Sequence, residues 1–383
     1  MQLTREEEKG LKGDYGETLA TAYRTLVAIG EATEAERFTN IKWAHLSGVN
    51  YNTIGDGGVT FLDRFSRYTQ VKVKTTINPM GYDRTQPNKL SENFITKQTN
   101  IVNSFKRLGA MPSFTCIPYE MFSVPRRSRV SFAESNAAIF SNSVLDLLTN
   151  KESALSALAS AVTGKAPYSD LRKKELRRAK LSIKPSFSPK SELDWGLLGY
   201  FAGNVNNDDS CINFESIPQP DLRRAKSLAA AMGTSGSCGM FTINDGEDTK
   251  VIDYEPSDAN SKMDELGTSE DGDVIVLGSP QLGINELSYL TGLLEGRRFR
   301  KPCMIFTSRV VHREASRIGI VDKLAKTGCA FVCDSCSCLT PLISRKETDS
   351  IITNSIKAAY YLNHYNNVAV CLKDLKTITK DYS

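Results

Sequence analysis

The chain has 383 residues, is 40% hydrophobic and 24% charged, and carries a formal net charge of +4. This length allows two or three packed domains, and the composition is that of a globular protein rather than a disordered or fibrous one. No stretch reaches the 18 apolar residues of a membrane span, and the acidic start at residues 1–9 does not resemble a signal peptide. We therefore expect a cytoplasmic protein that does not enter a membrane.

The first half of the sequence alternates helical and extended patterns. We predict helices at residues 15–32, 59–68 and 92–108, and strands at residues 38–43, 71–77 and 113–117. Residues 166–192, rich in Lys, Arg, Ser and Pro, are interpreted as an insertion or a domain crossing. Two polar, turn-rich stretches, at residues 204–220 and 246–271, are predicted to be loops.

The second half ends in a regular α/β run. Its predicted strands are residues 273–277, 303–307, 329–333 and 367–371, and its predicted helices are residues 284–294, 314–326 and 351–361. Such alternation predicts an α/β fold with parallel sheets flanked by helices and with sites at the strand ends. We divide the chain into three α/β subdomains, of which the second carries helices and the insertion: residues 1–133, 134–265 and 266–383.

Three basic clusters, at residues 126–129, 172–178 and 297–300, are each flanked by acidic or apolar residues. We interpret them as solvated helix faces or loop ends and expect no nucleic-acid partner, although one cluster could meet a phosphorylated substrate.

Four of the nine cysteines fall between residues 329 and 338. Cys329 and Cys333 alternate with apolar residues and are interpreted as core residues, whereas Cys336 follows the end of a strand and Cys116 has the matching place on another strand. Iron–sulfur clusters are bound by thiolates, and a cluster with one thiolate too few leaves an iron free for substrate. The spacing is not that of a zinc site.

Short polar motifs stand where predicted strands end. Taken singly, each is explained by the turn preferences of Ser, Asn, Gly and Pro; taken together, they favour an anion-binding site. They include His45-Leu-Ser47-Gly48-Val49, Thr76-Ile-Asn78-Pro79, Thr115-Cys116-Ile-Pro118, Glu134-Ser135-Asn136, Gly278-Ser279-Pro280, Asp334-Ser335-Cys336 and Asn354-Ser355-Ile-Lys357.

At these motifs, and in the same order along nearly the whole chain, the sequence resembles the catalytic subunit of the aconitase X family. The resemblance implies an aconitase-like multi-layer α/β body. The family's smaller swivelling domain would be missing, so a separate small subunit is expected as partner. It also implies an iron–sulfur cluster, of the [4Fe-4S] type, and a hydro-lyase that dehydrates a small phosphorylated hydroxy acid, (R)-5-phosphomevalonate, to trans-anhydromevalonate 5-phosphate in an isoprenoid pathway.

The same resemblance implies roles for individual residues. Cys116 and Cys336 match cluster ligands, and the third ligand is left open among Cys371, Cys338 and Cys303. Glu134, Ser135 and Lys357 are the candidate catalytic residues. The candidate substrate-binding residues are Ser47, Gly48, Val49, Asn78, Asn136, Ser235, Asn354 and Ser355. A serine on the swivelling domain is the base in related enzymes, which would place the base on the partner subunit.

Two other functions fit the sequence. One is the large subunit of a cis-3-hydroxy-L-proline dehydratase, the other activity known in the family. The other is a non-catalytic iron–sulfur protein used for sensing. Gln281, where the family often has His, is a departure from the family pattern that bears on substrate specificity.

Overall fold

The structure, a computed structural model, describes residues 1–86, 90–206, 208, 210–247 and 249–383. Its strands form three parallel sheets and one antiparallel pair within these residues, and helices cover the sheets. The α/β class with parallel sheets flanked by helices is therefore confirmed. Within the same residues, no helix combines the length and the apolar character that crossing a bilayer requires.

The N-terminal region carries a three-stranded sheet in the order β3-β2-β4, with β2 parallel to both neighbours. The two remaining strands of the region, β1 and β5, pair antiparallel beside it. The elements are α1 (Arg5–Lys12), α2 (Glu17–Ala32), β1 (Phe38–Asn40), β2 (Trp43–Leu46), α3 (Tyr51–Phe65), β3 (Lys74–Ile77), α4 (Glu92–Arg107), β4 (Val130–Phe132), α5 (Ser135–Ser143), α6 (Ala154–Thr163) and β5 (Lys165–Pro167).

The middle region carries a four-stranded parallel sheet in the order β8-β7-β6-β9. Its central strand β6 pairs with β7 on one side and β9 on the other. The elements are β6 (Ala179–Pro185), α7 (Glu192–Val205), β7 (Cys211–Phe214), α8 (Leu222–Ser235), β8 (Met240–Ile243), β9 (Lys250–Tyr254) and α9 (Pro256–Leu266).

The C-terminal region carries a five-stranded parallel sheet in the order β12-β11-β10-β13-β14. The elements are β10 (Val274–Leu277), α10 (Ile284–Leu293), β11 (Cys303–Thr307), α11 (Arg309–Arg317), α12 (Ile320–Lys326), β12 (Cys329–Cys333), β13 (Ser350–Thr353), α13 (Ile356–His364), β14 (Ala369–Leu372) and α14 (Leu375–Asp381).

Helix α7 joins the middle and C-terminal regions. Trp195 and Leu198 pack into the core of the middle sheet, whereas Leu193 and Leu197 pack into a core with the C-terminal sheet. A Cβ atom on Gly199 would lie 2.5 Å from the Leu228 carbonyl oxygen, so glycine lets α7 approach α8 closely. Burial of both faces of one helix fixes the two sheets relative to each other.

Several predicted elements are wrong. The stretch read as an insertion, residues 166–192, contains the central strand β6, and the two predicted loops contain β7, β9 and α9. Asn207, Asp209 and Asp248 of those loops lie outside the described residues. Residues 113–117 are not a strand; Phe114 has a φ of 44°, so the backbone turns there and Cys116 stands on a loop. The basic cluster at residues 172–178 is partly internal, because Arg172 is buried against Glu152.

Candidate active site

A chain of hydrogen bonds starts at the buried end of strand β2. The Trp43 Nε1 donates to Thr76 Oγ1 (2.9 Å), and His45 Nδ1 lies 2.8 Å from the same oxygen. His45 Nε2 lies 2.7 Å from Asn78 Oδ1, which has only acceptor capacity. The proton of the neutral His45 ring is therefore on Nε2, and Asn78 is held with its amide nitrogen turned toward Glu134.

The amide nitrogen of Asn78 binds one member of a buried ion pair at the centre of the site. Asn78 Nδ2 donates to Glu134 Oε2 (2.7 Å), and Lys357 Nζ donates to Glu134 Oε1 (2.6 Å) and to Asn136 Oδ1 (2.9 Å). Only 12% of the Glu134 side chain and 10% of the Lys357 side chain are exposed. The four side chains come from segments that follow strands β3, β4 and β13, whose carboxyl ends therefore meet here.

The environment keeps both members of the Glu134–Lys357 pair charged. Burial alone would raise the pKa of Glu134, but Lys357 and the Asn78 amide hold it below its ordinary value. Burial likewise opposes the ammonium, yet Glu134 and the nearby Cys116 thiol raise the pKa of Lys357 above its ordinary value. Burial lowers the pKa of His45 to about 4, so its ring is neutral at physiological pH.

Cys116 lies beside this pair. Asn136 Nδ2 donates to the Cys116 carbonyl (2.9 Å), and the Gln281 backbone N–H donates to Cys116 Sγ (3.2 Å). Burial, followed by the nearby Cys336 and Glu134, raises the pKa of the Cys116 thiol to about 12. Cys116, from the N-terminal region, and Cys336, from the C-terminal region, therefore lie close enough to interact electrostatically.

Cys336 and Cys338 occupy the loop after β12. Their thiols contact each other, and the hydrogen bond from Cys336 lowers the pKa of Cys338. The Ser279 hydroxyl lies 3.0 Å from Cys338 Sγ. All three thiols, Cys116, Cys336 and Cys338, are buried and within electrostatic range of Lys357.

The three thiols are a donor set of the kind that iron–sulfur clusters use. Within the described part of the chain, no three His, Cys, Asp or Glu side chains are grouped closely enough to bind one metal ion. Thiolates are the usual protein ligands of iron–sulfur clusters. Three thiols beside a charged pair provide the donor set of a cluster with one iron open to substrate.

An ionic network supports the loop that carries Cys336. Asp334 has a φ of 63° and accepts from the backbone N–H of Arg309 (3.1 Å) and from its Nε (2.8 Å). Arg309 also pairs with Asp83, whose other oxygen accepts from the Cys333 backbone N–H (2.8 Å). Asp83 and Asp334 are both buried; Arg309 pairs with each of them, and Arg84 also pairs with Asp334 (3.1 Å).

Asn354 and Ser355 line a small cavity of about 40 Å³ together with Ser279 and Lys357. Ser355 caps α13, since its Oγ accepts from Ala358 N (3.0 Å), and this cap orients the first turn that carries Lys357. Asn354 Nδ2 lies 3.5 Å from Glu192, a buried carboxyl whose pKa burial raises to about 7.

Other candidate residues lie outside this hydrogen-bonded group. Ser47 and Gly48 are partly exposed at the carboxyl end of β2, whereas the Val49 side chain packs into the N-terminal core. Ser135 opens α5 next to Glu134 and lies against Gly233 of α8. Ser235 donates to Ala231 within its own helix (3.1 Å) and faces Gly203 of α7.

Two of the three candidates for the third ligand lie elsewhere. Cys303 contacts Cys329 on the neighbouring strand, and Cys371 donates to the Glu270 carbonyl (3.1 Å); both belong to the hydrophobic core under the C-terminal sheet. Their place in that core argues against Cys303 and Cys371 and favours Cys338.

Sequence reasoning assigned no role to His45, Asp83 or Arg309, and it connected Gln281 only with substrate specificity. His45 opens one of the polar motifs and Gln281 directly follows another, so their position near strand ends was the available signal. Asp83 and Arg309 are 226 residues apart, and nothing in their local sequence indicates that they meet.

The chain was then compared with known proteins. Three family models match it in succession: the first domain of aconitase X over residues 1–175, the second over 179–269 and the third over 272–382. The chain belongs to the aconitase X family. Our own boundaries, 133/134 and 265/266, remain a prediction.

Individual relatives agree with this assignment. A phosphomevalonate dehydratase large subunit of Aeropyrum pernix is 33% identical over 99% of each chain. A crystal structure of aconitase X from Thermococcus kodakaraensis, in its holo form, superposes with a TM-score of 0.93 at 30% identity and full coverage of both chains. A cis-3-hydroxy-L-proline dehydratase of Hypocrea jecorina is 27% identical over 94% of this chain but only 65% of its own.

Proposed function

We propose that this aconitase X protein is the large subunit of a phosphomevalonate dehydratase, a hydro-lyase that converts (R)-5-phosphomevalonate to trans-anhydromevalonate 5-phosphate. The observation that carries the proposal is the share of each relative's length that this chain covers. The chain spans 99% of the Aeropyrum pernix large subunit, whereas it spans 65% of the hydroxyproline dehydratase, at lower identity. The Glu134–Lys357 site supports a reaction on a small anionic substrate.

We assign Cys116, Cys336 and Cys338 as the ligands of an iron–sulfur cluster, of the [4Fe-4S] type. When bound there, the cluster would supply a Lewis acid to a hydroxy acid. Asn136 and Gln281 hold Cys116 in place through its backbone and its sulfur, and Ser279 contacts the sulfur of Cys338.

Dehydration removes a proton next to the substrate carboxylate and a hydroxyl from the adjacent carbon, which leave together as water. Lys357 holds a positive charge at Nζ beside the three thiols, so we assign it to bind a substrate oxygen and to stabilise the negative charge that develops there. Glu134, fixed by Asn78, keeps the ammonium charged and aimed. Ser47, Gly48, Asn354 and Ser355 are assigned to orient the substrate.

We also propose a separate small subunit, since the relatives that this chain covers over 93% or more of their length are named large subunits. We place the base that removes the carbon-bound proton on this swivelling-domain partner. We also propose a cytoplasmic location, because all nine cysteines are free thiols, as a reducing compartment would keep them.

The test is a turnover assay with the large and small subunits produced together under anaerobic conditions. We expect an α,β-unsaturated product from (R)-5-phosphomevalonate, followed by NMR, and no product from cis-3-hydroxy-L-proline. The Lys357→Met variant, which we expect to be inactive, is the negative control. Its iron content is measured alongside to separate loss of turnover from loss of the cluster. Turnover of hydroxyproline alone would assign the chain to the other activity of the family.

A further inference from the structure

Gln281 connects two segments of the chain that contribute cysteines to the site. Its side chain is fully buried and lies in the loop after β10. The Gln281 Oε1 accepts from the Cys116 backbone N–H (3.3 Å), and its Nε2 donates to the carbonyls of Phe114 (3.2 Å) and Ser335 (2.9 Å). The Gln281 amide therefore binds the backbone of Cys116 itself, of Phe114 two residues before it, and of Ser335 next to Cys336.

The amide group suits this position closely. It offers acceptor lone pairs and two N–H donors, and the site presents one N–H and two carbonyls. A carboxylate of the same shape would accept from Cys116 N but would face two carbonyl oxygens without a proton to donate. A neutral imidazole could make one donated and one accepted bond, but not all three.

The backbone of Gln281 is also fixed at both ends. Its N–H donates to Cys116 Sγ (3.2 Å), and its carbonyl accepts from Lys226 Nζ (2.7 Å). Lys226 comes from α8 of the middle region, is buried, and pairs with Glu286 at 2.8 Å. Contacts from all three regions thus converge on one residue.

We propose that Gln281 is a positioning residue that sets the direction of the Cys116 thiol relative to Cys336, with Lys226 as its anchor. This inference rests on the proposed cluster at these cysteines. Hydrogen bonds to ligand sulfurs and to the peptides that carry them orient metal ligands, and their removal weakens metal binding about 10- to 100-fold in other sites. Gln281 would therefore control how firmly the cluster is retained.

The experiment compares three variants in the anaerobically prepared holoprotein: Gln281→Leu, which removes all side-chain bonds, Gln281→Glu, which keeps the shape and the acceptor, and Lys226→Gln. The exposed Gln219→Leu is the matched control. The readouts are iron per chain, the visible and EPR spectra, the half-life of the cluster in the presence of an iron chelator, and the melting temperature of the metal-free chain.

We expect Gln281→Leu and Gln281→Glu to shorten the half-life about tenfold or more and to change the EPR spectrum, whereas Gln219→Leu matches the wild type. For Lys226→Gln we expect a cluster half-life between that of the wild type and those of the two Gln281 variants. If Gln281→Glu retains the cluster like the wild type, shape alone suffices and the positioning role is wrong. If Gln281→Leu does not fold, the cluster half-lives of Gln281→Glu and Lys226→Gln provide the test of the positioning role. If the wild type binds no cluster, it is the proposed function that fails.

Discussion

The Lys357 ammonium lies 2.6 Å from a Glu134 carboxylate oxygen, in a site where both side chains are nearly enclosed. Removal of one member of such a pair leaves an uncompensated buried charge, which costs about 3–5 kcal/mol. We expect Lys357→Met and Glu134→Gln each to lower the free energy of unfolding by that order and to abolish turnover.

The double variant provides the control for this pair. Because Lys357→Met with Glu134→Gln removes both charges, its loss of stability should be smaller than the sum of the two single losses, as urea unfolding would measure in a double-mutant cycle. Additive losses would mean that the two charges do not interact as the geometry indicates.

The pKa of His45 predicts a stability that depends on pH. The pKa is about 4 in the folded protein against an ordinary value of 6.5, so the unfolded chain takes up the proton first on acidification. The stabilisation is complete above pH 6.5 and is lost as the pH falls toward 4, by about 3 kcal/mol in total and about 2 kcal/mol by pH 5. His45→Gln keeps a donor and an acceptor but does not titrate, so its unfolding free energy should change less between pH 7 and 5. Equal slopes for the two proteins would remove His45 as the cause.

The cysteines should separate into two classes by iron content. We expect Cys116→Ser, Cys336→Ser and Cys338→Ser to lose most of the bound iron under anaerobic reconstitution. Cys303→Ser and Cys371→Ser, whose thiols lie in a hydrophobic core, should keep it, although with some loss of melting temperature. Retention of iron by Cys338→Ser together with its loss from Cys371→Ser would reverse our choice of third ligand.

Arg309 should be far more important for stability than the arginine at the other end of its helix. Arg309→Met leaves the buried Asp83 without its cation and Asp334 with only the partly exposed Arg84, and we expect a loss of about 3–5 kcal/mol. Arg317 pairs with Glu314 at 3.5 Å and its side chain is 78% exposed, so Arg317→Met should cost less than about 1 kcal/mol. Thermal unfolding of the two variants under one buffer condition tests this difference.

Burial and an apolar sequence did not suffice to predict every strand, because β13 (Ser350–Thr353) is buried but falls at the start of the helix predicted at residues 351–361. Strands β11 and β12 begin and end at the predicted residues, because their apolar runs are flanked by clear turn signals. Strand β6 was missed because its sequence, Ala-Lys-Leu-Ser-Ile-Lys-Pro, places lysines between the buried positions and follows a highly basic stretch. The parallel neighbours of β6 make it a central strand, and that pairing is not encoded locally.

The residues of the candidate site were also predicted only in part. Asn78, Cys116, Glu134, Asn136 and Lys357 stand in short polar motifs and received their roles from the resemblance to aconitase X; the structure joins them through hydrogen bonds or charge. The third ligand was left open among Cys338, Cys303 and Cys371, because the sequence does not show which of these thiols lies near Cys116 and Cys336.

The bonds between Cys116 and Gln281 span 165 residues, and the remaining cysteines of the site lie still later in the chain. For the cluster that we propose at Cys116, Cys336 and Cys338, the ribosome must therefore synthesise most of the polypeptide before the complete set of thiols exists. Insertion of such a cluster would then be a late step in the biogenesis of this protein.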